Sequence, residues 1–156
     1  LFTQKLSDEA VRVKGEGIEH LEIKYAQCCS PVQGDQIVGF ITKGRGISIH
    51  RKNCVNIVNT NAPERLIDVE WAQDSGSKFY ATIQVLAVDR SGYLASLAEQ
   101  ISKMEINVAS LNAKPNEDQT SRLMVTVEVN NSDQLNDLMN RINRMPETID
   151  VYRMKN

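Results

Sequence analysis

No run of about 18 apolar residues occurs anywhere in the chain, so no segment is long and apolar enough to cross a membrane as a helix, and a membrane is not an expected partner. Aromatics are scarce, at 5%, and the chain holds only 4 Pro and 8 Gly, too few for a collagenous or low-complexity chain. Neither sign of charge dominates. With 18 Lys plus Arg against 20 Asp plus Glu, the net charge is -2, so the chain is not a uniformly basic nucleic-acid binder and any such patch must be local. Cysteine numbers 3, two of them adjacent, which makes no disulfide framework and fits reduced thiols in a cytoplasmic protein. His20 and His50 are the 2 histidines. No Ser-His-Asp arrangement, no HExxH helix and no acid pair in a plausible cleft is legible, and His20 is expected on a strand face in a structural role. Phe2-Thr3-Gln4-Lys5 lacks the apolar core of a secretory signal, and an opening on Leu1 is expected of a piece of a longer chain.

What is present, 41% hydrophobic and 24% charged residues over 156 positions, reads as an α+β chain in two units. Residues 1–17 are charged around a few apolar positions and are expected to be a linker or lead-in. Residues 18–73 read as a small mixed α/β unit, with strands over 18–25, 36–42 and 47–50, a short helix between 53 and 61, and a closing strand over 66–71. Asp74-Ser75-Gly76-Ser77 separates it from residues 78–156. There Ile83, Val85 and Ala87 alternate as a strand, and Leu94, Leu97, Ala98, Ile101 and Met104 recur at helical spacing behind Ser91 as the expected cap. A strand over 108–113, a polar turn at 115–118, and a strand with Leu123, Val125, Val127 and Val129 on one face come next. Asn130-Asn131-Ser132-Asp133 then caps a helix carrying Leu135, Leu138, Met139 and Ile142, and a last strand covers 149–154. The order β-α-β-β-α-β makes a ferredoxin-like four-stranded antiparallel sheet with both helices on one face.

Three places carry candidate chemistry. Cys28, Cys29, His50 and Cys54 are zinc-ligand residue types, and His50-x3-Cys54 lets a strand end and the following helix turn converge on one ion. Adjacent cysteines on extended backbone point to opposite faces, so both can bind only if the chain turns at Ser30-Pro31. The alternatives are three ligands completed by a carboxylate or water, or a core of buried reduced thiols. Between Gln36 and Pro63 there are four basic residues, Lys43, Arg45, Arg51 and Lys52, and no acid. Glycines at 44 and 46 allow close approach to a phosphate, so this window is either an RNA-facing surface or a solvated hairpin tip. Asp89-Arg90-Ser91-Gly92 joins a strand to a helix, where N–H groups suit a small carboxylate, or it is an ordinary capped turn.

The run from Tyr25 to Cys54, YAQCCSPVQGDQIVGFITKGRGISIHRKNC, resembles the conserved-cysteine segment of long RelA/SpoT-type stringent-response proteins, also called their zinc-finger or ribosome-intersubunit domain. The β-α-β-β-α-β unit behind it resembles an ACT domain, and the two follow each other as in that family. One departure is Asn53, which stands where many relatives carry an acid before the last cysteine. The resemblance implies a regulatory, non-enzymatic region of a protein that makes or degrades (p)ppGpp, with zinc as a candidate cofactor and the synthetase and hydrolase domains absent from this sequence. Its implied partners are the ribosome through rRNA, deacylated tRNA in the A site, and the catalytic domains of the parent chain. A homodimer through the ACT domain is also implied. A branched-chain or small apolar amino acid is expected at Asp89, Arg90, Ser91, Gly92 and Leu94, with Asn107 and Val108 of the next strand contributed across a dimer interface. Asp89 suits the α-ammonium, and Leu94 and Val108 suit the side chain. The competing reading is an amino-acid-binding ACT dimerisation module with a thiol-redox or zinc-binding accessory domain, alongside a zinc enzyme, which would need a general base that no nearby Asp or Glu supplies.

Overall fold

The computed structural model describes residues 11–13, 22–44, 46–72 and 76–153, and the chain divides into two compact units between Phe79 and Tyr80. The first 10 residues, His20, the start of the strand expected from Ile18, Arg45, the junction at 73–75 and Met154 lie outside the described residues.

In the first unit, β2 (Glu22–Tyr25), β3 (Ile37–Ile41), β4 (Gly46–Arg51) and β5 (Leu66–Ile67) form one sheet in the order β2-β4-β3-β5. β2 runs parallel to β4, and β3 is antiparallel to both β4 and β5. The alternation of β4 drives the layering. Ile47 and Ile49 are fully buried in a core with Val11, Ile37 and Val69, while Ser48 and His50 point to the opposite face. On that face Ala26, Cys29, Cys54 and Ile57 pack with Cys28, Val38, Phe40 and Leu66, and α1 (Val55–Val58) closes it.

Two expectations are corrected here. Residues 66–71 are not one strand: the chain breaks at Asp68, and β6 (Val69–Trp71) leaves the sheet to pair antiparallel with β1 (Val11–Val13). The same pairing makes part of the expected lead-in a strand, because Val11 buries to 4% exposure against the core and supplies a partner for the ladder groups of Val69–Trp71.

Gly39 shows how tight this layer is. A Cβ there would lie 3.0 Å from Ile47 Cγ2 and Val69 Cγ1 and 3.1 Å from Ile67 Cγ1, all on stiff β-branched side chains. Gly39→Ala is therefore expected to destabilise the first unit by about 1–3 kcal/mol, read as a lowered urea midpoint in Trp71 fluorescence. A midpoint equal to that of the parent chain would show that β3 can retreat at no cost.

The second unit realises the expected order: β7 (Phe79–Val88), α2 (Tyr93–Lys103), β8 (Asn107–Pro115), β9 (Thr120–Val129), α3 (Ser132–Asn143) and β10 (Thr148–Arg153), with strand order β10-β7-β9-β8. The strand residues expected to alternate inward, Ile83, Val85, Ala87, Leu123, Val125, Val127 and Val129, are all at 0–1% exposure, packed with Leu97, Ile101, Leu135, Leu138 and Ile142 of the helices. Asn131 caps α3 as expected, its side chain accepting from Gln134 N–H at 2.9 Å while Gln134 reaches back to Asn130 N–H at 2.7 Å.

At α2 the cap differs from expectation. Gly92, not Ser91, is the cap residue, held at φ 89 where a glycine is unstrained, with no side-chain cap bond. The buried stripe also starts at Tyr93 rather than Leu94. The Tyr93 hydroxyl lies 2.8 Å from Thr148 Oγ1 and the side chain is buried, which turns Leu94 outward to 47% exposure.

Candidate metal centre and basic strip

The turn after β2 resolves the difficulty posed by two adjacent cysteines. Ser30 N–H closes back on Ala26 C=O at 2.9 Å and Ser30 adopts φ 44, so residues 27–29 curl and both thiols face His50. Cys28 Sγ lies 3.4 Å from His50 Nδ1 and 3.5 Å from Cys54 Sγ, and Cys29 Sγ lies 3.8 Å from His50 Nδ1. All four donor atoms fall within 4.8 Å of one another. Bonds of about 2.0–2.3 Å in a tetrahedron place ligand atoms roughly 3.5–3.8 Å apart, so the cluster has the size that one tetrahedral ion requires.

The surroundings suit ligands as well. Ser48 Oγ lies 3.1 Å from His50 Nε2, which fixes the ring with Nδ1 toward the sulfurs. Arg51 clamps the turn twice: its backbone N–H donates to Cys29 Sγ at 3.3 Å and its Nε to Cys29 C=O at 2.9 Å. Burial pushes the Cys28 thiol up, and Cys29 up to about 12. Burial also raises Cys54, but the N–H of Asn56, the thiols of Cys28 and Cys29, and the N–H of Ile57 outweigh it and leave Cys54 below the ordinary thiol value. Burial lowers His50, favouring the neutral, ligating imidazole. The cluster can therefore keep the Cys28 and Cys29 thiols protonated as hydrogen-bond donors, or give up thiol protons to a metal ion.

Ser48 and Asn56 did not figure among the expected site residues. Ser48 was legible, since residues i and i+2 of a strand share a face; the Asn56 contact depends on Cys54 standing at the helix start, which spacing alone does not tell.

The four basic residues separate into two groups. Lys43 is exposed at the hairpin between β3 and β4, where Thr42 N–H and hydroxyl both donate to Gly46 C=O, while Arg45 lies outside the described residues. Arg51 and Lys52 stand at the far end of β4, about six residues or roughly 20 Å away. Lys52 is exposed, whereas Arg51 is half-buried on Cys29 and belongs to the cluster's support. The expected single loop is thus a strip along one strand with a basic group at each end.

In the second unit Asp89, Arg90, Ser91, Gly92 and Leu94 form an exposed turn whose Asp89 N–H donates to Gln119 C=O at 2.8 Å. Asn107 and Val108 are also exposed, but they pair with Glu128 and Val127. Gln119 precedes β9 and Val127 lies near its end, roughly 25 Å along the strand, so one chain does not bring the two halves of the expected amino-acid site together.

A cluster of four side chains that could hold a metal ion on one unit and a β-α-β-β-α-β layer pair on the other define a two-part α+β chain with a candidate metal centre. Residues 11–72 match the RelA/SpoT RIS domain and residues 75–153 match the ACT domain. The chain is 36% identical over 149 residues to a GTP pyrophosphokinase of Streptomyces coelicolor, covering 95% of this chain and 17% of that protein. It is 34% identical over 154 residues to the GTP pyrophosphokinase of Escherichia coli K12, covering 97% of this chain and 21% of the relative. A crystal structure of the ACT domain from a Chlorobium tepidum GTP pyrophosphokinase aligns over 49% of this chain and 99% of that one, at 23% identity and a TM-score of 0.45. The chain therefore belongs to the RelA/SpoT family. It spans about a fifth of the length of these curated relatives, and the RIS and ACT regions that it matches are regulatory rather than catalytic.

Proposed function

We propose that this chain is the ribosome-reading regulatory region of a cytoplasmic (p)ppGpp synthetase or hydrolase, passing an amino-acid-starvation signal to catalytic domains outside this sequence. The observation that carries this reading is the strip from Gln36 to Pro63. It has four basic residues and no acid, exposes Lys43 and Lys52, and stands on the unit that matches the RIS domain. A strip of this length can neutralise phosphates at two separated points of a folded RNA, which suits rRNA. The Cys28, Cys29, His50 and Cys54 cluster holds structural zinc, which ties the turn after β2 to the start of α1 and so fixes the Lys52 end of the strip. The ACT unit lies beside the A-site tRNA. Co-sedimentation of the purified chain with ribosomes carrying deacylated A-site tRNA tests the reading: retention is expected there and weaker retention on ribosomes with an empty A site. Equal absence from both pellets would overturn it.

A second reading, an amino-acid-responsive ACT dimer, is favoured by β8. This edge strand carries no charge from Asn107 to Ala113 and is exposed along nearly its whole length, which leaves it unguarded against pairing. Antiparallel pairing of β8 with a second copy would carry the partner copy's strand start toward this chain's Asp89–Leu94 end. That is the arrangement that an amino-acid site shared between the turn and Asn107 and Val108 needs.

A further inference from the structure

Two sulfurs of the first unit stand in contact. Cys28 Sγ and Cys54 Sγ lie 3.5 Å apart although 26 residues separate them in sequence. Both backbones are pinned. Ala26 N–H donates to Ile49 C=O at 2.9 Å and Ser30 N–H to Ala26 C=O at 2.9 Å, which ties the turn bearing Cys28 to β4. Cys54 C=O accepts from Ile57 and Val58 N–H, each at 2.9 Å, at the start of α1. The fold itself therefore sets this pair together.

The three thiols are not equivalent. Cys28 is half-buried, whereas Cys29 and Cys54 are 4% and 5% exposed, so a small reactant from solvent meets Cys28 first. Cys29 is held against β4: its Sγ accepts from Arg51 N–H at 3.3 Å and its C=O from Arg51 Nε at 2.9 Å. As chain neighbours, Cys28 and Cys29 have Cα atoms about 3.8 Å apart, short of the roughly 4.4 Å at which disulfides begin. Cys54 is thus the natural partner of Cys28. His50 Nδ1, 3.4 Å from Cys28 Sγ, is placed to take the thiol proton, while Ser48 Oγ at 3.1 Å engages the opposite ring nitrogen.

We propose that Cys28 and Cys54 are a peroxide-oxidised thiol pair, closing a reversible disulfide that withdraws two of the four candidate ligands and expels a zinc ion held there. In the metal-free cluster Cys28 Sγ passes its proton to His50 and attacks one oxygen of hydrogen peroxide; the S–O bond forms as the O–O bond breaks. The departing hydroxide takes the proton from His50 and leaves as water. Cys54 Sγ then attacks the sulfur of the Cys28 sulfenic acid, the S–S bond forms as the S–O bond breaks, and the second hydroxide leaves as water with the Cys54 proton. Two thiols are oxidised and one peroxide is reduced to two waters. With zinc bound, both sulfurs start as thiolates and the two protons come from solvent. The second step is intramolecular between groups already in contact, which favours it over further oxidation of Cys28. Cys29 and His50 then remain, too few ligands for a structural zinc site. Only the expulsion of the ion rests on the zinc reading; the disulfide does not.

The test treats the reduced 156-residue chain, metal-free and zinc-loaded, with hydrogen peroxide, counts thiols by alkylation under denaturing conditions and maps the link by fragmentation mass spectrometry. In the metal-free chain the three thiols are expected to fall to Cys29 alone, the unlabelled chain becoming lighter by two hydrogens, and dithiothreitol is expected to restore all three. The zinc-loaded chain is expected to release one zinc ion per disulfide, read with a chromogenic chelator. Cys29→Ser should still form the link. Cys28→Ser should form none and lose thiol about tenfold more slowly, because the accessible sulfur is gone. Far-UV circular dichroism checks that the variants fold.

Three thiols surviving peroxide in the metal-free chain overturn the proposal, as does a sulfinic acid on Cys28 with Cys54 still open to alkylation. So does a link through Cys29, or one between two chains on a non-reducing gel. A zinc-loaded chain that keeps both its ion and its thiols overturns the proposal and leaves the zinc reading standing; a chain that takes up no zinc but closes the link between Cys28 and Cys54 overturns the zinc reading and keeps this pair.

Discussion

Replacing Lys43 and Lys52 together by glutamate is expected to weaken ribosome binding by about a hundredfold at physiological salt while leaving the circular dichroism spectrum unchanged. Both side chains are exposed, and they stand at opposite ends of β4, so the double change reverses charge at both ends of the acid-free strip. Because each lost phosphate contact removes roughly one counterion from the exchange, the salt dependence should flatten as well as the affinity fall. Arg51→Ala supplies the contrast. Its guanidinium is committed to Cys29 C=O, so that change should lower the melting temperature of the first unit and leave the salt slope almost untouched. Normal binding by the Lys43→Glu, Lys52→Glu chain would move the RNA contact away from β4.

The second large effect is expected from the cysteine cluster. One zinc ion per chain should be taken up with release of thiol protons at neutral pH, because burial holds Cys28 and Cys29 protonated in the free cluster. Affinity should therefore rise with pH, each thiol proton displaced adding to the dependence; His50, lowered by burial, is neutral at pH 7 and releases none. A unit of this size has a small core, so the metal is expected to supply a large part of its stability. Cys54→Ser should abolish stoichiometric uptake and lower the melting temperature by 10 °C or more, on the order of several kcal/mol for a domain this small. Ser48→Ala, which frees the His50 ring, should weaken zinc about tenfold without removing it. Chelator that leaves the melting curve unmoved, with no metal found by atomic emission, would establish the cluster as a thiol core.

Much of the second unit could be read directly. Its strands alternate with a period of two and its helices with 3.6, and where long elements pack on one another these periods decide which side is buried; Leu123, Val125, Val127 and Val129 all point inward as their spacing requires. The misreading at α2 came from a single side chain. Tyr93 is amphipathic, and only the presence of Thr148 on a strand 55 residues later in sequence makes its burial favourable. The first unit was less legible because its elements are short: the four residues of α1 and the two of β5 carry too few periods to declare a face.

Local sequence by itself determined the residue types of the metal centre, the closeness of His50 to Cys54, the acid-free window around the basic residues, and the β-α-β-β-α-β order. Each of these depends on neighbours within a few positions or on a sustained period. Tertiary structure alone decided that Ser30 would turn left-handed and bring both adjacent thiols to His50, and that Val11 would draw Val69–Trp71 out of the β5 sheet. It also decided that Arg51 would clamp Cys29 instead of facing outward, and that Asn107 would lie a full strand length from Asp89. The contacts among these outcomes join groups far apart in sequence, 22 residues for Arg51 and Cys29, and their free energy depends on which strands pair, which no local propensity carries.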